Sequence, residues 1–172
     1  MSLLTCYKTI TQKEYTMKIR YMRVNESIPK LTVSPKGEWV DLTLAEKAML
    51  LPNEHKVLSL GIRMKLPKGF EAWIIPRSST FKKYKMLLSN SFGLIDNAYQ
   101  GPNDIWKFSC YAPNGCNVRV GTRICQFRIM PSMKAGFWVK LKWLLCRKIE
   151  FVEEEYLKGS YTDRGGFGST GD

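Results

Sequence analysis

Leu58-Ser59-Leu60-Gly61-Ile62-Arg63-Met64-Lys65-Leu66 sets an apolar side chain on every second residue, and Pro67-Lys68-Gly69 ends the run. Phe70, Ala72 and Ile74 then resume the alternation against Glu71 and Trp73 up to Pro76. A period of two puts one side of an extended chain in a core and the other in water, so both stretches are expected to be strands. Ile19 and Tyr21, set against Arg20 and Met22, open a first strand after Met17. Further strands are expected at 105–111, 122–130 and 149–153. In the stretch 137–147, Val139, Leu141, Trp143 and Leu145 alternate with Lys140 and Lys142, which reads as an added strand or hairpin. Helical spacing is confined to one short polar segment, Ser78 to Tyr84. Many short strands with glycine and proline between them point to an all-β sandwich, barrel or jelly roll.

The 172 residues carry 27 basic and 15 acidic side chains, a net charge of +12, which suits an anionic partner: nucleic acid, a phosphorylated metabolite or an acidic surface. Apolar residues are 44% and charged residues 24%, the balance of a globular chain. No uncharged apolar run reaches the roughly 18 residues of a spanning helix. Met1 to Tyr15 lacks the apolar stretch of a secretory signal. A secreted or membrane-spanning protein is therefore not expected. Cys6, Cys110, Cys116, Cys125 and Cys146 are odd in number and form no Cys-x-x-Cys pair, which argues for reduced thiols in the cytoplasm. The one histidine, His55, follows Pro52-Asn53-Glu54 and is expected in a surface loop; a Cys/His zinc site is not expected. Residues 1–16 read as an N-terminal extension or an expression remnant, and 17–158 as a single β domain. Residues 159–172, with five of the 13 glycines and only Tyr161 and Phe167 to bury, read as a flexible C-terminal arm.

Three segments carry chemistry. The arm contains Arg164-Gly165-Gly166-Phe167-Gly168-Ser169-Thr170-Gly171, whose glycines let backbone N–H groups approach phosphate while Phe167 offers a flat face; a plain flexible tail explains the same residues. In Pro76-Arg77-Ser78-Ser79-Thr80, an arginine and three hydroxyls at a strand end suit a phosphate cradle, or simple helix capping by serine. In Gly93-Leu94-Ile95-Asp96-Asn97-Ala98-Tyr99-Gln100-Gly101, glycines bracket an expected hairpin. There Asp96 could take a proton from water and Tyr99 could face a sugar; an ordinary turn closed by Asp96 is the plainer alternative.

Taken together, in order over residues 37–171, these segments resemble the five motifs of the trimeric all-β dUTP diphosphatases of bacterial and phage type. Asp41-Leu42 matches the first motif weakly, Pro76-Arg77-Ser78-Ser79 the second, 93–101 the third in full, Arg123-Ile124-Cys125-Gln126-Phe127 the fourth and the glycine tail the fifth. The resemblance implies a distorted jelly-roll (β-clip) fold with one short helix, and a homotrimer with sites shared between chains. It also implies that the 159–172 arm closes a neighbour's site. It implies hydrolysis of dUTP to dUMP and pyrophosphate with Mg2+. Asp96 would activate water, and Asp41 would hold the magnesium through waters. Tyr99 would pack beneath the deoxyribose and exclude a 2′-hydroxyl. Gly93, Ile95 and Asn90 would lie along the uracil, and Phe167 would stack on it. Arg77, Ser78, Ser79 and Gln126 would hold phosphates, with Arg164, Gly168, Ser169 and Thr170 from the arm.

Two departures stand out. Glu38-Trp39 occupies the place of the usual Ala-Gly, and Arg164 precedes Phe167 by three residues where the family commonly has five. One rival within the superfamily is a dCTP deaminase, which needs a glutamate beside the pyrimidine; Pro102-Asn103-Asp104-Ile105-Trp106-Lys107-Phe108 supplies none. The other is a basic nucleic-acid-binding module, prompted by the +12 charge and by Lys82, Lys83 and Lys85. Nucleic acid and membrane are not the expected partners, and a regulatory protein partner is left open.

Overall fold

The computed structural model describes residues 15–33, 37–155 and 162–166. Within them the chain builds β1 (Tyr15–Arg23), β2 (Val40–Thr43), β3 (Ala48–Leu50), β4 (Glu54–Ser59), β5 (Ile62–Lys65) and β6 (Phe70–Pro76). Helix α1 (Thr80–Tyr84) follows, then β7 (Leu87–Leu88), β8 (Gly93–Ile95), β9 (Lys107–Ala112), β10 (Cys116–Val118) and β11 (Arg123–Pro131). Helix α2 (Phe137–Leu145) leads directly into β12 (Cys146–Glu153).

Four small sheets enclose one core. Their strand orders are β12-β1-β5, β10-β3, β2-β11-β6-β8 and β4-β9-β7. Strand β12 returns parallel to β1, and β1 pairs antiparallel with β5, so the two ends of the domain lie side by side. Alternation is visible strand by strand: in β6, Phe70, Ala72 and Ile74 are buried while Glu71, Trp73 and Ile75 are less so. The centre holds edge-to-face aromatic pairs, Trp106 with Phe127 at 5.1 Å and Phe127 with Phe151 at 5.7 Å between ring centres. No helix among the described residues is long and apolar enough to cross a membrane.

The alternation over 58–66 is real, but it is not one strand. Leu58, Leu60, Ile62 and Met64 are all buried, yet the chain changes sheet at Leu60–Gly61, β4 pairing with β9 and β5 with β1. Gly61 turns the corner at φ +67°, where a Cβ would also fall 2.7 Å from the Ala45 Cβ. Strand β1 begins at Tyr15, inside the segment expected to be an extension; residues 1–14 lie outside the described residues. His55 is exposed as expected but sits in β4, with Nε2 2.8 Å from the Ser109 hydroxyl. Helix α1 starts two residues later than its polar segment.

The expected strand or hairpin over 137–147 is instead α2. Val139 and Trp143, four residues apart, turn one helix face to the body; Trp143 meets Phe70 at 5.9 Å, and Val139 lies over Gly69. Phe137, Trp138, Leu144 and Leu145 remain exposed. With apolar residues at seven of these nine positions, both periodicities are present, and the leucines and lysines favour a helix. Trp143, Phe151, Phe127 and Ile129 line a cavity of about 510 Å³ beneath α2.

Candidate active site

Across β2-β11-β6, Gln126 stands opposite both Asp41 and Ile75, so Asp41 and Gln126 share one face, and Arg77, two residues past Ile75, follows on it. Arg123 is an odd number of residues from Gln126 and would ordinarily point the other way. A register shift between Arg123 and Cys125 buries Ile124 and Cys125 in succession and restores Arg123 to this face. The Arg77 Nε donates to Asp41 Oδ1 at 2.8 Å, and Arg123 donates to Oδ2 at 3.1 Å. Two guanidiniums and one carboxylate leave a net positive, partly exposed cluster. The displaced Ile124 carbonyl accepts the Arg77 N–H at 3.2 Å and the buried Thr80 hydroxyl, which fixes the turn after β6. Ser78 is exposed on that turn. Ser79 occupies the helix N-cap position but makes no capping bond, so its hydroxyl is not explained as a cap.

A second group lies on β8 and the loop after it. Gly93 and Ile95 pair with Ile74 and Ala72 of β6, and a Cβ on Gly93 would stand 3.0 Å from that of Ile74. Asn90 is exposed in the turn before β8, where Ser91 adopts φ +58°. The expected hairpin is a three-residue strand plus a turn, because β8 pairs with β6 and not with the residues that follow it. Asp96 Oδ1 accepts the Ala98 N–H at 2.8 Å, the local turn bond, while Oδ2 pairs with Arg164. The Tyr99 hydroxyl donates to the Ile105 carbonyl at 2.9 Å, and Gly166 lies against the ring. Burial first, then the charges of Asp104 and Asp163, push the Tyr99 phenol up to about 12. Phe167, Gly168, Ser169 and Thr170 lie outside the described residues.

The two groups do not meet within one chain. Ile95 pairs with Ala72, whereas Arg77 is five residues farther on, just past the end of β6, a backbone separation of about 16 Å at 3.3 Å per strand residue. Asp96, one residue past Ile95 in the opposite sense, is farther still.

Sequence reasoning did not single out Arg123 as a site residue, nor Asn103, Asp104 or Asp163. Arg123 needs the bulge to reach Asp41, and no residue type announces a bulge. Asp104 is buried in a Pro-Asn-Asp turn whose composition signals only a loop. The Trp39 departure has a local reason: the Arg128 guanidinium lies 5.3 Å from the Trp39 ring centre and 5.8 Å from that of Trp73.

Architecture and site define the class first: an all-β protein of jelly-roll type, with a cationic cluster on one sheet face and a carboxylate-and-tyrosine loop at the far end of the same sheet. A family model described as dUTPase matches residues 34–171, and the chain belongs to that family. It is 38% identical over 155 residues to the SPbeta prophage-derived deoxyuridine 5'-triphosphate nucleotidohydrolase of Bacillus subtilis (strain 168), covering 90% of this chain and 99% of that one. It is 29% identical over 158 residues to the deoxyuridine 5'-triphosphate nucleotidohydrolase of Clostridium tetani, covering 92% and 98%. Two solved structures share the fold. The dUTPase of Streptococcus mutans gives a TM-score of 0.59 at 21% identity, over 66% of this chain and 93% of that one. The dUTPase of Staphylococcus aureus phage phi11, described with a species-specific insert, gives 0.60 at 15%, over 69% and 93%.

Proposed function

We propose that the protein hydrolyses dUTP to dUMP and pyrophosphate, in sites that different copies of the chain complete. Family membership supports the reaction, and the separation of the two residue groups along β6 is the observation that carries the shared site. With their backbones about 16 Å or more apart along the strand direction, Asp96 and the arginines of its own chain do not face one phosphate. A second copy that sets its loop 96–101 against the Asp41–Arg77–Arg123 face can. The outward side of β6 and β8 favours such docking, with Phe92 exposed by 40% and Leu94 by 54% beside Trp73. A homotrimer closes three such contacts.

In this reading Arg77, Arg123, Ser78, Ser79 and Gln126 receive the triphosphate, and Asp96 receives the proton of the attacking water. The water oxygen bonds to the α-phosphorus, the bridging bond to the β-phosphate breaks, and pyrophosphate carries the electron pair away. Little covalent work falls to the protein, and positioning with charge neutralisation sets the rate. Asn90, Gly93 and Ile95 line the uracil, and Tyr99 packs beneath the sugar. The arm residues Arg164, Phe167, Gly168, Ser169 and Thr170 close the site. Residues 159–172 serve as the arm of the domain.

Magnesium fits this site only through water. No three His, Cys, Asp or Glu side chains among the described residues converge to hold a metal, and both Asp41 oxygens already face arginines. Asp41 is about a third exposed, and its remaining lone pairs can accept water bound to a triphosphate-held ion. When bound, Mg2+ neutralises phosphate charge and fixes the triphosphate conformation. A variant of the phage phi11 dUTPase coordinates a structural Mg(II) ion. The free thiols of Cys110, Cys116, Cys125 and Cys146 suit a reducing cytoplasm.

Pyrophosphate release from dUTP, dTTP, dCTP and UTP, with and without magnesium, tests the reading. A strong, metal-dependent preference for dUTP is expected. Ammonia release from dCTP would favour the deaminase alternative. Tight DNA binding at high salt with dUTP left intact would favour the nucleic-acid module.

A further inference from the structure

A line of hydrogen bonds crosses the sheet β4-β9-β7 and ends beside the turn that carries Asn90. The His55 Nε2 lies 2.8 Å from the Ser109 hydroxyl, and that hydroxyl lies 2.7 Å from the hydroxyl of Ser89, the residue after β7. Strand register brings the three together. Val57 pairs with Ser109, so His55 reaches it diagonally, and Leu88 pairs with Cys110, which sets Ser89 against Ser109. Ser109 is buried, and its backbone carbonyl also accepts the Ser89 N–H at 2.8 Å, so it grips Ser89 twice. Each hydroxyl has one proton to give. With Nε2 accepting, Ser89 donates to Ser109, Ser109 donates to His55, and every member is satisfied. Without His55, nothing fixes the direction in which the two hydroxyls point.

The grip lies directly before the turn. Asn90 is exposed, and Ser91 holds φ +58°, a left-handed conformation that a residue with a side chain keeps only where its surroundings enforce it. The Ser91 N–H donates back to the Leu88 carbonyl at 3.0 Å, so the turn closes on β7, whose last residue pairs with β9. We propose that His55, acting through the hydroxyls of Ser109 and Ser89, is a positioning residue for the Asn90 turn and so for recognition of the pyrimidine. This rests on the reading of Asn90 given above and adds a polar support behind it, anchored two strands away.

His55 is exposed, so the core does not depend on it, and His55→Phe keeps a ring while deleting the bond. His55→Gln sets an amide at about the reach of Nε2, able to present oxygen or nitrogen to Ser109. Amide exchange at Ser89 and Ser91 in the nucleotide-free full chain reads the grip without reference to activity. It should quicken about two- to tenfold in His55→Phe, the span of one net hydrogen bond, and return to the parent rate in His55→Gln. In steady state, His55→Phe should raise KM for dUTP by a similar factor with kcat and Tm nearly unchanged, and the preference for dUTP over dCTP should fall with it. Ser109→Ala removes both links, so His55→Phe should add nothing in that background. Parent exchange and parent KM in His55→Phe would overturn the proposal, as would a defect that His55→Gln fails to restore or a fall in Tm that accompanies the rise in KM. Faster exchange at Ser89 and Ser91 with unaltered KM and preference would leave the hydrogen-bonded line standing and remove Asn90 from base recognition instead.

Discussion

Replacing Asp96 by asparagine separates chemistry from binding. The side chain keeps its shape, and its remaining oxygen can still accept the Ala98 N–H now bonded at 2.8 Å, so the turn that presents Tyr99 is retained. What is lost is the ionisable oxygen paired with Arg164. That pair is 37–42% exposed at its two side chains, and in such surroundings an ion pair contributes about 0–1 kcal/mol. In a chain of this size that is at most about 4 °C in Tm. Loss of a preorganised proton acceptor costs far more, about 2.7–4 kcal/mol in the barrier, or roughly a hundredfold to a thousandfold in kcat. Nucleotide binding should persist, because the phosphates are assigned to the Asp41–Arg77–Arg123 face at the other end of β6. Pyrophosphate release at saturating dUTP, isothermal titration with a non-hydrolysable analogue and thermal scanning together give the three readings. A kcat within tenfold of the parent would refute the role of Asp96. Equal losses of binding and turnover would show instead that residue 96 helps to hold the nucleotide.

Three further outcomes follow from the packing and the ionisable groups. The Tyr99 phenol ionises at an ordinary value of 10.0 in the unfolded chain and at about 12 when folded, so its contribution is intact below pH 10 and is lost between pH 10 and 12; Tyr99→Phe should flatten the fall of Tm across that window, and an unchanged slope would contradict the assignment. Glu153 shows the opposite sign: the Arg23 hydrogen bond, at 2.5 Å, and then Lys30 hold its carboxyl below the ordinary 4.5, so stabilisation is present above that pH and is lost on acidification. Glu153→Gln should therefore lower Tm by about 2–4 °C at pH 7 and by progressively less as the pH falls below 4.5. Trp143→Ala removes the ring that seats α2 on Phe70 and should cost about 2 kcal/mol, because the site is only partly buried; amide exchange should quicken over 137–145 with dUTP turnover unchanged, and full retained protection would show that α2 is held some other way.

The strands were legible wherever one face is buried and the other wet. Burial alternates along β6, and along β11 past its bulge at Ile124–Cys125, as the residue types do, and the motif residues Asp41, Arg77 and Gln126 fall on one sheet face. Where the period was ambiguous, the sequence misled. Residues 137–145 satisfy both two-residue and four-residue spacing, and the choice fell to Phe70 and Gly69, far away in the chain. Leu58 to Leu66 kept its alternation while changing sheets, because a single glycine corner preserves which side faces inward. The His55–Ser109–Ser89 line was illegible for a different reason. Its members are ordinary polar residues up to 54 positions apart, and only the folded chain brings them together.

Charge bears on how the two halves of the proposed site would receive an anion. The β2-β11-β6 face carries Arg77 and Arg123 against one carboxylate, Asp41. The loop and arm root carry Asp96, Asp104 and Asp163, with Arg164 bonded to Asp96. The loop half sets those three carboxylates beside Arg63 and Arg164, and Lys18, Arg20, Lys65 and Lys68 line a pocket with Asn97 and Gln100, so both halves carry basic side chains that suit a triphosphate. In the proposed site the triphosphate would enter with a charge that suits Arg77 and Arg123. There the anion settles on the arginine face, and Asp96 would face the α-phosphorus without binding it. If Arg123 helps to hold the triphosphate, Arg123→Glu should weaken dUTP affinity, and raising the protein concentration should leave that defect in place; an unchanged affinity would remove Arg123 from the phosphate site.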